Sequence, residues 1–244
     1  MNRFFVDPTA VRENSVDIPD ETASQIRRVL RLKEGTRVQF LDNCGWLYEC
    51  SIHYTDPRNV TAEIIEKRPA EGEPSCTVTL YIGLTQREKF EWVLQKCTEA
   101  GINKIVPMIT ERSLIRKTSD ISGKTDRWEK ILKEASEQCG RGIIPGLSDA
   151  LPFRDAIKAG SAADAALFCW EDEKQKTLRE MLEPLHGTAA NISLMIGPEG
   201  GFSAEEAALA QETGWSAVTL GKRIYRMETA AIASVILTRY ELER

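Results

Sequence analysis

Histidine is almost missing from this chain: His53 and His186 are the only two in 244 residues. A His/Cys metal cluster or a Ser-His-Asp triad would have to be assembled around one of them. His53 ends a strand-like run and His186 sits in Pro184-Leu185-His186-Gly187, a loop pattern, so both read as surface or structural residues. The six cysteines (Cys44, Cys50, Cys76, Cys97, Cys139 and Cys169) form no Cys-x-x-Cys pair. No structural zinc, and no metal of any kind, is expected. The start, Met1-Asn2-Arg3-Phe4-Phe5, lacks a basic-then-apolar leader, so reduced thiols and a cytoplasmic protein are expected. No run approaches the ~18–20 apolar residues of a membrane span, and mean hydropathy is −0.32. Two nucleotide signatures are absent too: Gly-x-Gly-x-x-Gly and Gly-x-x-x-x-Gly-Lys-[Ser/Thr]. Classical NAD and ATP sites are thereby disfavoured.

What is present is an ordinary globular composition, 42% hydrophobic and 28% charged, over more than one unit of roughly 150 residues. The formal charge of −5 argues against a nucleic-acid coat protein and leaves room for a local basic face. The first seventy residues are mostly β: Arg3–Val6, Thr36–Leu41, Trp46–His53 and Val60–Ile65 are short β-branched or aromatic runs. Turn signals separate them, at Asp42-Asn43-Cys44-Gly45 and Asp56-Pro57-Arg58-Asn59. One helix interrupts them, with Asp20 as its cap, Ile26, Val29 and Leu30 as its apolar side, and Gly35 after it. The proline- and glycine-rich stretch Arg68–Pro74 then marks a boundary, giving domains 1–72 and 73–244.

Beyond that boundary strands and helices alternate, the pattern of a parallel α/β sheet. Strands are expected at Thr77–Leu84, Lys104–Ile109, Ala165–Cys169, Ile192–Ile196 and Ala217–Leu220. Helices are expected at Glu88–Ala100, from Asp126 through Trp128, Ile131, Leu132, Ala135 and Cys139, and from about Glu228. The last carries Ile232, Val235, Ile236 and Tyr240 along one side.

Two segments have the character of a site. In Met195-Ile196-Gly197-Pro198-Glu199-Gly200-Gly201-Phe202-Ser203 a strand meets a glycine-rich loop. Ser203 and Glu206 then have capping-box spacing, worth about 1 kcal/mol, and Phe202 is placed as a hydrophobic staple. Three glycines allow a sharp turn and a close approach to a ligand. Glu199 would repel a phosphate and suits a cationic ligand. In Leu220-Gly221-Lys222-Arg223-Ile224-Tyr225-Arg226-Met227-Glu228-Thr229 a strand end again meets glycine, a short loop and a helix. Arg226 would stand at the mouth of the cleft or, as a plain surface residue, pair with Glu228.

These two segments strongly resemble the SPOUT methyltransferases. Within them they are similar to the RsmE-type family, which methylates N3 of a uridine in 16S ribosomal RNA. Arg28–Gly35, Glu91–Gly101 and Arg127–Cys139 fit the same family, so the resemblance covers nearly the whole chain. Tyr225 departs from it, since leucine is more usual there, which bears on packing beside the cofactor. The resemblance implies an α/β domain with a trefoil knot behind a small PUA-like β-barrel domain, and a homodimer. It implies S-adenosylmethionine (S-adenosyl-L-methionine) held by Met195, Gly197, Glu199, Gly200, Gly201, Leu220, Gly221, Ile224, Tyr225 and Arg226, with a third loop after Ala165–Cys169. Another SPOUT activity, ribose 2′-O methylation of tRNA or rRNA, is the alternative, because the same loops serve both.

Methyl transfer from a sulfonium needs positioning and electrostatics more than covalent help. Arg226 is assigned to stabilise the uridine anion, and Glu199 to receive the proton or favour the sulfonium. The expected partner is 16S rRNA, within the assembled small ribosomal subunit or free. Its phosphates would meet Arg27, Arg28, Arg31 and Lys33, in a tract where five cations (with Arg37) oppose Glu34 alone. Arg112, Arg116, Lys117 and Lys124 form a second basic tract, equally readable as a solvated face. Trp46, Tyr48 and Tyr54 are candidates for base stacking, though strand alternation assigns Trp46 or Tyr48 to the core. Trp92 and Trp128 belong to the core or a dimer interface.

Overall fold

A computed structural model of the chain describes residues 1–54, 60–116, 121, 123–188 and 190–243. Two compact units are present, 1–73 with 133–144, and 74–132 with 145–244.

The first unit holds strands β1 (Arg3–Phe5), β2 (Ser15–Asp17), β3 (Arg37–Leu41), β4 (Trp46–Tyr54) and β5 (Val60–Pro69). They form one sheet in the order β1-β3-β4-β5-β2. Alternation along β4 buries Tyr48, Cys50 and Ile52 with Phe4, Val38 and Phe40 on one face and Leu47 with Phe5 and Leu41 on the other, while Trp46, at the start of the strand, is exposed. Tyr48 is therefore the core member of the aromatic pair, and burial, reinforced by Asp42, pushes its hydroxyl up to about 12. Lys67 sits 4.5 Å over the exposed Trp46 ring. The separate N-terminal sheet is in keeping with the implied PUA-like domain.

Several local expectations need correction. Asp20 is the first helical residue of α1 (Asp20–Ser24), not its cap; Pro19 holds that position. The helix passes at once into a π-turn over Gln25–Val29. The wider turn shifts the phase, so Ile26 is buried while Val29 is 73% exposed and Leu30 also faces water. Strand β2 was not foreseen, and β5 continues into the stretch read as a boundary. The expected turn at Asp56–Asn59 lies outside the described residues.

The second unit is built on a parallel sheet in the order β12-β10-β11-β6-β7-β8, with β9 also paired to β7. Its strands are β6 (Thr77–Gly83), β7 (Lys104–Ile109), β8 (Gly146–Leu147), β9 (Leu151–Pro152), β10 (Ala165–Cys169), β11 (Asn191–Ile196) and β12 (Ser216–Val218). The helices between them are α2 (Arg87–Glu99), α3 (Thr125–Cys139, of which residues 133–139 belong to the first unit), α4 (Phe153–Gly160), α5 (Leu178–Leu182), α6 (Ala204–Glu212) and α7 (Met227–Leu242). Phe90 on α2 stacks against Trp128 at 4.5 Å, so Trp128 is core, whereas Trp92 is exposed.

The last helix turns a different side inward from the one its apolar residues suggested. Ala231, Ser234, Val235, Thr238 and Leu242 are buried, and Ile236 and Tyr240 are exposed. Small side chains let α7 pack closely on α2 and the sheet. Arg239 is buried with them, donating to the carbonyls of Cys76 and Gly101 at 2.5 Å each.

Candidate cofactor and active site

Strands β10, β11 and β12 are neighbours, and their carboxyl ends open onto one cavity of about 1000 Å³. Open α/β sheets bind ligands at this end of their strands. Three loops wall the cavity, held by their own turns and by contacts with neighbouring elements.

The first loop leaves β11 at Ile196. Its turn closes with Gly201 N donating to Pro198 O at 2.9 Å, and Gly201 has φ +68°. It lies against the end of β6. A Cβ added to Gly83 would come within 2.5 Å of Pro198 N, and one on Gly197 within 3.2 Å of Gly201 C. The expected capping box closes the loop. Glu206 N donates to Ser203 Oγ at 3.3 Å and Ser203 N to Glu206 Oε2 at 3.1 Å. Phe202 is buried against Phe153 and Phe168.

Glu199 accepts hydrogen bonds from the Thr85 hydroxyl and from Lys89 Nζ at 2.9 Å. Burial alone would raise its carboxyl, but these two bonds outweigh it, and the net direction is downward from the usual carboxylate range. Glu199 is thus an ionised anchor between the loop and the start of α2, not a free proton acceptor.

The second loop is Thr219–Arg226. Gly221 has φ +115°, in the left-handed region that glycine tolerates, and its N–H donates to Thr219 Oγ1 at 3.1 Å. Arg223 donates to the Tyr225 hydroxyl at 3.2 Å. Ile224 at the tip is 82% exposed. Arg226 is the N-cap residue of α7 and is exposed. Among the described residues its guanidinium has no ion-pair partner, and the alternative pairing with Glu228 is not formed.

The third loop, after β10, is stitched to the second. Trp170 N donates to Val218 O at 3.2 Å, Thr219 N to Lys176 O at 2.8 Å, and Leu178 N to Thr219 O at 3.2 Å. Thr177 caps α5 through its own capping box with Glu180. Glu171 packs on Gly201, where a Cβ would meet both carboxylate oxygens at 3.2 Å.

Of the residues that the resemblance assigned to the cofactor, eight line this cavity: Gly197, Glu199, Gly201, Leu220, Gly221, Ile224, Tyr225 and Arg226. Met195 and Gly200 do not. Met195 is fully buried in the core beside Phe168 and Phe202, because an alternating strand residue points into the sheet layer. Gly200 lies outside under the Arg112 side chain, whose Nη1 donates to its carbonyl at 2.8 Å. Arg116 likewise bonds the Glu111 carbonyl, and Lys117 is outside the described residues. In the first unit Arg28, Arg31 and Lys33 are exposed and Arg27 is partly buried. Among the described residues no group of three His, Cys, Asp or Glu is arranged to hold a metal.

Sequence reasoning missed Gly83, Thr85, Lys89 and Glu171. None has a local signal, since each meets the loops only through the sheet order. The cavity suits a nucleoside with a cationic arm: Ile196, Val218, Leu220 and partly buried Cys169 supply apolar wall, and Glu171, Glu199 and Glu228 supply acceptors. One acceptor, Glu228 Oε2, is buried without a partner among the described residues.

Residues 72–239 match the RNA methyltransferase domain family. The ribosomal RNA small subunit methyltransferase E of Synechocystis sp. is 32% identical over 93% of this chain and 74% of its own length. That of Mesomycoplasma hyopneumoniae is 31% identical, covering 95% of this chain and 96% of its own. The crystal structure of the Neisseria gonorrhoeae ribosomal RNA small subunit methyltransferase E bound to S-adenosyl methionine superposes with a TM-score of 0.86. It is 28% identical and covers 98% of this chain and 97% of that one. A domain match over most of the chain, full-length relatives and a shared fold agree with the three loops at the strand ends, and the chain belongs to the ribosomal RNA small subunit methyltransferase E family.

Proposed function

We propose that this chain transfers a methyl group from S-adenosylmethionine to N3 of a uridine in 16S ribosomal RNA. The observation that supports it is one cavity walled by three strand-end loops, with Arg226, whose guanidinium makes no ion pair among the described residues, on its wall. The cofactor supplies an electrophilic methyl on a sulfonium and leaves as a thioether. The residues of the chain bind, orient and adjust charge.

Leu220, Ile196 and Val218 offer apolar wall to the nucleoside part. Glu199, held ionised by Thr85 and Lys89, favours a positive charge nearby. The uridine N3 carries a proton that must leave; with its pKa about two units above ambient pH, ionisation costs about 2.7 kcal/mol. Arg226 offsets that cost by donating to a carbonyl oxygen of the uracil anion. Arg28, Arg31 and Lys33 bind RNA phosphates in the first unit, with the target base unstacked for reaction. A homodimer, a knotted passage of the cofactor loops and division at residue 72 belong to the same reading.

Nucleoside mass spectrometry of 16S rRNA from a deletion strain tests it. Loss of 3-methyluridine, restored by the intact chain, is the expected result. Loss of a ribose methyl instead would transfer the assignment to 2′-O methylation.

A further inference from the structure

Glu228 is left over by the functions described so far. It lines the cavity at the second position of α7, and its Oε2 is closed to solvent without a hydrogen-bond partner among the described residues. A dry, unpartnered carboxylate oxygen is costly and calls for a donor from outside the chain. Of the buried unpartnered side-chain atoms among the described residues, Glu228 Oε2 belongs to a residue that lines the cavity. The other carboxylates on the wall are already engaged or exposed. Glu199 receives Thr85 and Lys89, and Glu171 is exposed and packs on Gly201. The Cys169 thiol, pushed up to about 12 by burial, keeps its own proton.

The nearest cation in sequence is Arg226, two residues earlier in the same strand-to-helix junction. Arg223 is turned to Tyr225, and Lys174 to the Glu171 carbonyl. Lys222 lies at the exposed rim. The junction therefore offers a donor, Arg226, and an acceptor, Glu228. The pairing edge of uracil offers the complement, a carbonyl oxygen beside N3–H.

We propose that Glu228 is the group that accepts the N3 proton of the target uridine while Arg226 donates to the neighbouring carbonyl oxygen. The inference rests on the uridine-N3 reading above. The N3–H bond breaks, an O–H bond forms on the Glu228 carboxylate, and the electron pair stays on N3, where it bonds the methyl carbon. The proton then passes to water. The same acceptor rejects cytosine, whose N3 has a lone pair in place of a proton.

The test compares the intact chain with Glu228→Gln on small ribosomal subunits lacking the methyl group, in single turnover from about pH 6 to about pH 10. At neutral pH the variant is expected to be slower by about 10²–10⁴-fold. Its affinity for S-adenosylhomocysteine in calorimetry stays within about twofold, because the proton is handled outside cofactor binding. Its rate climbs with pH toward that of the intact chain as hydroxide takes over, and a 5-fluorouridine target, with its more acidic N3–H, narrows the gap. A deficit equal at every pH overturns the proposal. So does a tenfold or greater loss of S-adenosylhomocysteine binding, which makes Glu228 a cofactor residue. Should Glu228→Gln fail to fold, Glu228→Asp carries the same measurements. Digestion of the product to nucleosides keeps the two levels apart. Absence of 3-methyluridine with the intact chain removes the underlying reaction, whereas 3-methyluridine formed at an unaltered rate by Glu228→Gln removes only the role of Glu228.

Discussion

Arg226 and Glu199 stand on two loops of one cavity and hold their charges under different constraints. Among the described residues Arg226 makes no ion pair, so its charge is available to a developing anion. Arg226→Ala is expected to lower turnover by about 10²–10³-fold, the usual effect of removing one preorganised donor. S-adenosylhomocysteine binding, read by calorimetry, should stay near normal; joint loss of both would make Arg226 a cofactor residue. Glu199 is bound to Thr85 and Lys89, and its folded pKa lies below its ordinary value of 4.5. The anchor is therefore intact above 4.5 and is lost as pH falls through the lower folded value. Cofactor affinity should hold from neutral pH down to 4.5 and weaken only below it, as Glu199 takes up a proton. Glu199→Gln should bind weakly already at neutral pH and respond less to acid. Both residues were legible as charges in glycine-lined loops. The anchoring of Glu199 was not, because its partners lie 114 and 110 positions earlier in the chain.

At the scale of elements, strands and long helices follow the alternation of apolar residues closely. Lys104–Ile109 and Ala165–Cys169 form strands with the expected bounds, and Ser203 with Glu206 caps α6 as its spacing indicates. Faces were read less well. A periodic apolar stripe marks one side of a helix but not what covers it, and α7 buries alanine, serine and threonine where close approach matters more than side-chain area. The contact of β6 with the first cofactor loop is equally silent in sequence, because it depends on β6 and β11 being neighbours. It makes a sharp prediction. Gly83→Ala would drive a methyl group into the backbone of Pro198. Overpacking of this kind costs about 1–3 kcal/mol, and the backbone on both sides gives little room to relax. Thermal unfolding should shift down by that amount. S-adenosylhomocysteine affinity should fall by about tenfold or more as the loop is displaced. A variant with the lower stability and unaltered affinity would show that the loop does not hold the cofactor.

For the whole molecule, the large apolar side chains left in water matter most. Trp92 on α2 is 53% exposed, and Ile236 and Leu237 on α7 are 49% and 45% exposed. Helices α2 and α7 pack against each other, so these residues belong to adjoining elements. Isolated exposed leucines are ordinary, but large apolar groups on two helices that pack together are expected to be covered by another protein. A second copy of the chain is the occupant that the family resemblance implies, and a two-fold axis would place the same helices of both copies against each other. Light scattering after gel filtration should then give twice the 27.4 kDa chain mass. Ile236→Asp would put an unpaired charge into that contact, at a cost of several kcal/mol to association. The variant is expected to elute as a monomer while its α/β domain keeps its circular dichroism, since Ile236 is 49% exposed. If the intact chain runs as a monomer at micromolar concentration, or Ile236→Asp stays dimeric, the covering partner is not a second copy seated on this face. Ile236 and Leu237 would then be open to the RNA or to another protein of the subunit, and the cavity would have to work with the residues of one chain alone.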